Sequence, residues 1–592
     1  MKNWDVPLFC SRGPVESRVS EPRLRRPGFR PVPHGSSETI PGRTRPKKVS
    51  LRFTHWALVL LAPIAHGATA RYTISLHPGM AEVEARFPAA AAQAVRFELQ
   101  SWAGYDYYDD IEAVSAHDLR GKALAVQSPA PGQWSVENHA RGFTLSWRVK
   151  ASKDSMVGKA PGGQFHATLL KDWVSMWGHA FVLLPKEESL GEAPVAVRFQ
   201  SNEFRHPDST LPAGGKLAHL KDLNDQLFLA GSLRFYRQGD RRYYFATTPT
   251  VVTDRELMEA VDRIFVAQTR YMGTPATRAP IFLFTDGRAD SSGGTVVRNS
   301  AVFYPNLTQD LKSGNAGALR LIGHELFHLW NGSTMENAED AEWSDGKYGW
   351  FKEGFTEYYS GATLYREGIF DNAEFATFVN HLIVEYAQNG ESLHATLDEM
   401  GSQHWKDRDH QQLPYTKGAL LALLMDLQLR GRSRSLDDYM RAILRKKSYD
   451  LPNLHDAWVG MTGEAGAAFW DRYVPTAEPL PFAEILRLAK IPFEEREMPT
   501  FALGFTIDKP TIEKDAKVVS VAPGSRAAEA DIRPGDSLQG FSVSFGDVSK
   551  PARFNMLRGT ERITINYSPV VTRGLVQVGD RLEVLRGEAA IQ

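Results

Sequence analysis

The chain has 592 residues, is 42% hydrophobic and carries a formal net charge of -1. That length and apolar content suit about three or four domains with more than one core. The near-neutral charge argues against a nucleic-acid partner. The one cysteine, Cys10, excludes a disulfide framework and thiolate metal ligands from everything that follows it.

In chain order, residues 1–46 are rich in arginine and proline, among them Arg23, Arg25, Arg26, Pro27, Arg30 and Pro31, and read as a disordered leader. Residues 47–70 have the layout of a secretory signal: Lys47-Lys48, an apolar run from Trp56 to Ile64, and small residues ending in Ala68-Thr69-Ala70. The run is too short to span a bilayer comfortably, so no stable membrane span is expected. A chain secreted into a bacterial periplasm and beginning near Arg71 is expected. The first forty-odd residues are then either a misassigned upstream start or an unusual extension.

Residues 71–250 alternate apolar and polar side chains in short runs, at Tyr72–Leu76, Val83–Phe87, Ala94–Leu99 and Phe143–Trp147, which predicts an N-terminal β domain. Residues 251–490 change to helical periodicity, with helices expected over Arg255–Tyr271, Gly418–Leu429 and Leu436–Leu444. Within this part lies the run His324-Glu325-Leu326-Phe327-His328. Leu319, Ile322, Leu326 and Leu329 make one apolar stripe, so the run sits on a helix. Two imidazoles one turn apart then share a face on which both can bind one zinc ion. Glu325 is rotated by about 100° and reaches a water rather than the metal. The ordinary alternative is a pair of hydrogen-bonded core histidines.

A catalytic zinc site takes three protein ligands. Gly349 to Tyr359 reads as a second helix with acids one turn apart, which makes Glu353 the candidate third ligand. Glu357 either accepts the outer N–H of a ligand histidine or lies on a solvated face. Downstream comes Leu413-Pro414-Tyr415-Thr416-Lys417-Gly418-Ala419-Leu420, in which Pro414 predicts a helix start. After residue 490, Leu503-Gly504-Phe505, then Val518–Val521, Gly524–Ala528 and Ile532–Asp536, suggest a further β domain over 498–570, followed by a C-terminal tail, 571–592.

The blocks HELFHLWN, WFKEGFTEYY and LPYTKGAL, in that order, resemble the glycyl aminopeptidase family of gluzincin metallopeptidases (peptidase family M, number sixty-one), and the likeness extends from about Arg71 to the C-terminal region. The resemblance implies a multidomain α+β protein: an N-terminal β-rich domain, a mainly helical thermolysin-like zinc peptidase domain and a C-terminal PDZ-like β domain. It implies one zinc per chain on His324, His328 and Glu353, Glu325 as general base, and Tyr415 as a hydroxyl that steadies the transition state. By composition alone Tyr415 is one of 19 tyrosines. It also implies a peptide or protein substrate and a C-terminal peptide as ligand of the PDZ loop Leu503, Gly504 and Phe505.

The family's upstream segment Gly-Gly-Leu-Glu-His-Arg-Asn-Ser corresponds to residues 293–300, which assigns Gly293, Gly294 and Asn299 to substrate binding. Val296 stands where the family has the glutamate that holds the substrate's free amino terminus. A valine cannot pair with an ammonium group, and an unpaired buried cation is costly. Three outcomes follow: cleavage of other peptides, an unfamiliar amine anchor, or a zinc-containing peptide-binding protein with little turnover.

Overall fold

The computed structural model describes residues 70–88, 94–99, 107–137, 142–151, 166–246, 253–277, 279–285, 293–304, 317–339, 344–389, 395–404, 408–509 and 512–586. Residues 1–69, which hold the leader, Cys10 and all of the signal segment but Ala70, lie outside the described residues. No helix among the described residues is long and apolar enough to cross a membrane.

The expected N-terminal strands form, and their alternation buries one face. Tyr72, Ile74 and Leu76 from Ala70–His77 point inward with Val83, Ala85 and Phe87 from Met80–Phe87. Leu145, Trp147 and Val149 of Phe143–Lys150 complete that layer of a seven-stranded sheet. The pairings are antiparallel except where Ala70–His77 runs parallel to Val195–Gln200. Two four-stranded sheets accompany it, and the Trp147 indole N–H donates to the Phe181 carbonyl at 2.9 Å.

The boundary at residue 250 moves. The hairpin Arg234–Gln238 with Arg241–Phe245 belongs to the next sheet, because Arg241–Phe245 pairs in parallel with Ile281–Phe284. Alternation reveals a strand but not its sheet. The order continues through Ser300–Tyr304 to Gly293–Val297, which is an edge strand among the described residues. Trp177, Leu227 and Leu229 from the N-terminal part pack on Ile281, Val297 and Val302 of this sheet. The Trp177 indole donates to Ser300 Oγ at 3.1 Å, and Arg298 at the hairpin turn pairs with Asp225 at 2.5 Å. The edge strand is thereby fixed from behind.

The helical layer covers the other face of the sheet. Asp254–Met272 begins with a Thr253/Glu256 capping box and ends at Gly273 with φ 72°, and Leu436–Leu444 has the bounds its periodicity predicts. Pro414 does not start its helix, which runs from Arg408 to Arg430 with the proline inside. Upstream residues extend the helix because Leu413 and the residues after Lys417 bury against one continuous core.

In the C-terminal part, Phe493–Phe501 and Val570–Val578 form a nine-residue antiparallel ribbon beside a three-stranded sheet. Residues 571–586 are therefore not simply a tail. The Asn380 side chain donates to the Val578 carbonyl at 2.9 Å and accepts its N–H at 2.7 Å, while Val578, Leu582 and Leu585 enter the helical core. Apolar residues spaced through a polar segment carry no readable period, which is why these anchors escape sequence inspection.

Candidate metal centre and active site

Three helical segments build the site. The first, Gly317–Phe327, carries His324 and Glu325, and His328 follows in the turn at its end. It is buried against Phe355–Arg366, with the Gln268 side chain donating to the Gly323 carbonyl at 2.7 Å. The second runs Ser344–Gly349, a π-helical turn Trp350–Gly354, and Phe355–Arg366. Glu353 sits in the π turn, a widened geometry common where a helix presents a functional side chain. The third is Arg408–Arg430, which carries Tyr415.

Glycines let the last two segments meet. A Cβ on Gly418 would lie 2.1 Å from the Trp350 carbonyl oxygen, and one on Gly354 would lie 2.3 Å from Gly418 Cα. The helices thus touch backbone to backbone, one turn from both Glu353 and Tyr415. Gly418→Ala is expected to force them apart, cost about 1–3 kcal/mol of stability and lower kcat/KM more than the melting shift explains. Kinetics with a thermal melt on one preparation check this.

The donor atoms converge. His324 Nε2 lies 3.1 Å from His328 Nε2 and 3.4 Å from Glu353 Oε2, and His328 Nε2 lies 3.2 Å from the same oxygen. His324 Nδ1 faces Glu357 Oε2 at 3.0 Å and His328 Nδ1 faces the Asn331 carbonyl at 2.9 Å. Both outer partners are acceptors, so both Nδ1 atoms carry the protons by this network and both Nε2 atoms present lone pairs. Two lone pairs and a carboxylate facing one point repel unless a cation lies between them. Ligands bonded to zinc at about 2.0–2.1 Å in tetrahedral geometry stand about 3.3 Å apart, which matches these separations. The residues therefore fit the metal.

Electrostatics agree. Burial disfavours a charged His324, yet the Glu353 and Glu357 carboxylates beside it outweigh that and push its pKa up to about 10, so the pocket favours a positive charge at this point, a proton on Nε2 or a metal ion in its place. Burial opposes ionisation of Glu353, but the neighbouring His328 and His324 hold its carboxyl well below the usual range. Glu357 is buried, which excludes a solvated face; burial opposes its charge too, and Arg320 outweighs that. Burial raises the Glu325 carboxyl above its ordinary value against the pull of His324 and His328. Burial, with Glu353 and Glu325 nearby, holds the Tyr415 phenol well above its ordinary range, so its hydroxyl stays a donor. The Tyr415 ring stacks on His324 with centroids 6.0 Å apart.

Gly293 and Gly294 have distinct reasons to lack side chains. A Cβ on Gly294 would lie 2.4 Å from Glu325 Cγ, and one on Gly293 would lie 2.3 Å from the Tyr304 ring. The edge strand thus lies directly against Glu325, and Tyr304 donates to the Gly294 carbonyl at 3.1 Å. Val296 is partly buried against the helical core and adds no acid. Asn299 sits at the hairpin turn, where its side-chain oxygen accepts from the Thr277 hydroxyl, and it does not join the converging set. Leu503 and Gly504 lead into the strand Phe505–Ile507 of the C-terminal domain, with Gly504 at φ +77° and the Leu503 carbonyl accepting from Tyr567 at 2.6 Å.

Sequence inspection misses two residues that serve the site. The Asn331 amide donates to the Phe351 carbonyl at 2.8 Å and the Lys352 carbonyl at 3.1 Å, tying the π turn to the histidine helix. Arg320 donates to Glu357 Oε1 at 2.6 Å. Asn331 in the HELFHLWN block and Arg320 one turn before His324 are the only sequence signals of either.

A two-histidine, one-glutamate donor set with a carboxylate beside it and a phenol over it is that of a metallopeptidase. The model for M61 glycyl aminopeptidase matches residues 317–421, and that for the Peptidase M61 N-terminal domain matches residues 71–221. The matched stretches, under half of the chain together, mark it as a peptidase similar to the M61 glycyl aminopeptidases. No curated protein matches it. Among solved structures it is similar to an aminopeptidase N family protein from Idiomarina loihiensis at TM-score 0.66 and 16% identity, covering 88% of this chain and 99% of that one. That likeness shows a shared multidomain fold. Native leukotriene A4 hydrolase from Saccharomyces cerevisiae matches at TM-score 0.44 and 15% identity, covering 71% of this chain and 70% of that one.

Proposed function

We propose that the chain is a zinc peptidase in which His324, His328 and Glu353 hold one zinc ion and Glu325 is the general base. The observation that carries it is the convergence of the three donor atoms within 3.1–3.4 Å of one another. Zinc, when bound, supplies a Lewis acid beside the scissile carbonyl. Glu325 takes a proton from the attacking water as the new C–O bond forms, and returns it to the leaving amine as the C–N bond breaks. Tyr415 donates to the developing oxyanion, so its bond strengthens in the transition state. Glu357 and the Asn331 carbonyl hold the two imidazoles in the tautomer that presents Nε2 inward.

The substrate is a peptide laid as an extra strand along Gly293–Val297, whose outer edge is unpaired among the described residues and passes Glu325. A thermolysin-like arrangement of the catalytic domain and a PDZ-like identity of the C-terminal domain, with Leu503–Phe505 as its carboxylate loop, belong to the same proposal, as does secretion to a periplasm. With Val296 in place of a glutamate, a free amino terminus has no counter-charge from that position, so internal cleavage is favoured. The test is hydrolysis of a mixed peptide library by the zinc-loaded chain, comparing free with acetylated amino termini. Cleavage of acetylated peptides is expected. Release of single residues only from free termini would restore an aminopeptidase, and no cleavage above a Glu325→Gln blank would leave a peptide-binding protein.

A further inference from the structure

Glu357 is 3% exposed and stands among the acidic side chains of the site, which makes its position costly unless both oxygens are engaged. Its Oε2 meets His324 Nδ1 at 3.0 Å. Its Oε1 accepts a hydrogen bond from Arg320 Nη2 at 2.6 Å. Arg320 lies on the histidine helix itself, one turn before His324, and its guanidinium is seated over the Phe378 ring at 4.9 Å from the centroid. A carboxylate held at one oxygen rotates about its Cγ–Cδ bond; one held at both has a fixed plane. Arg320, Glu357 and His324 thus form a closed loop, in which one helix supplies both the ligand and the charge that orients the ligand's partner.

We infer that Arg320 is a positioning residue for the metal centre, setting zinc affinity by fixing Glu357 and through it the His324 ring. The inference rests on the zinc-binding reading of the site. A planar, permanently charged guanidinium suits the task, since it donates in a fixed direction while stacked on an aromatic ring. An ammonium at the same place keeps the charge and loses the plane. A neutral amide loses the charge that offsets the burial of Glu357. Neither change touches a donor atom.

The test is zinc affinity, measured by competition with a chromophoric chelator, for wild type, Arg320→Gln, Arg320→Lys, Glu357→Gln and the Arg320→Gln/Glu357→Gln double variant. Arg320→Gln is expected to bind zinc about 10- to 100-fold more weakly, the range for loss of an orienting partner, and Arg320→Lys to recover part of that loss. In the Glu357→Gln background, Arg320→Gln is expected to add nothing, because its effect runs through Glu357. Wild-type affinity in Arg320→Gln, or equal weakening in both backgrounds, would overturn the inference while leaving the zinc reading intact. Failure of the wild-type chain to take up zinc would overturn both. A general structural defect would weaken both backgrounds alike, and the Lys variant keeps the test open if Gln prevents folding.

Discussion

Glu325→Gln is expected to keep zinc and to lose hydrolysis by a factor of about 10²–10⁴, the range for removal of a general acid–base group. Glutamine has the same shape, so the contact with the Gly294 backbone survives, where a Cβ would already lie 2.4 Å from Glu325 Cγ. What is lost is a buried carboxylate whose pKa burial raises, which is the property that lets it take a proton from water. KM is expected to stay near the wild-type value, since Glu325 acts on the transition state rather than on peptide binding. Turnover equal to wild type, with zinc present, would remove Glu325 as the base.

Glu353→Ala is expected to weaken zinc binding by more than the roughly 100-fold that follows loss of an outer partner, and to abolish activity at stoichiometric metal. Among the described residues its Oε2 is the only carboxylate oxygen in the converging set, and without it two neutral imidazoles face each other at 3.1 Å. The π turn that presents it is held by Asn331 and by the Gly354–Gly418 contact, neither of which needs the carboxylate, so the variant should fold. Full metal occupancy in Glu353→Ala would mean that another side chain completes the site.

The parts of this molecule that are legible in its sequence are those where one short period decides the outcome. Leu436–Leu444 is one, because its apolar stripe alone sets the bounds that the structure shows. His324, Glu325 and His328 are another, since helix pitch alone places both imidazoles on one face. Pro414 misleads because a local rule about helix starts meets a buried interface that favours continuing the helix. The hairpin Arg234–Phe245 looks like its upstream neighbours, and only its parallel pairing with Ile281–Phe284 assigns it to the catalytic sheet. Arg320 and Asn331 act across 37 and 20 residues, on Glu357 and Phe351, and no spacing rule reaches that far. The strand Val570–Val578 and the residues after it are similarly defined by what they dock on.

The most direct measurement is X-ray absorption at the zinc edge, with anomalous diffraction, on the zinc-loaded chain. One zinc per chain is expected, at about 2.0–2.2 Å from His324, His328 and Glu353, with no fourth protein side chain in the coordination sphere. Zinc closed by a fourth protein ligand, or bound away from these three residues, would contradict a hydrolytic metal centre at this place.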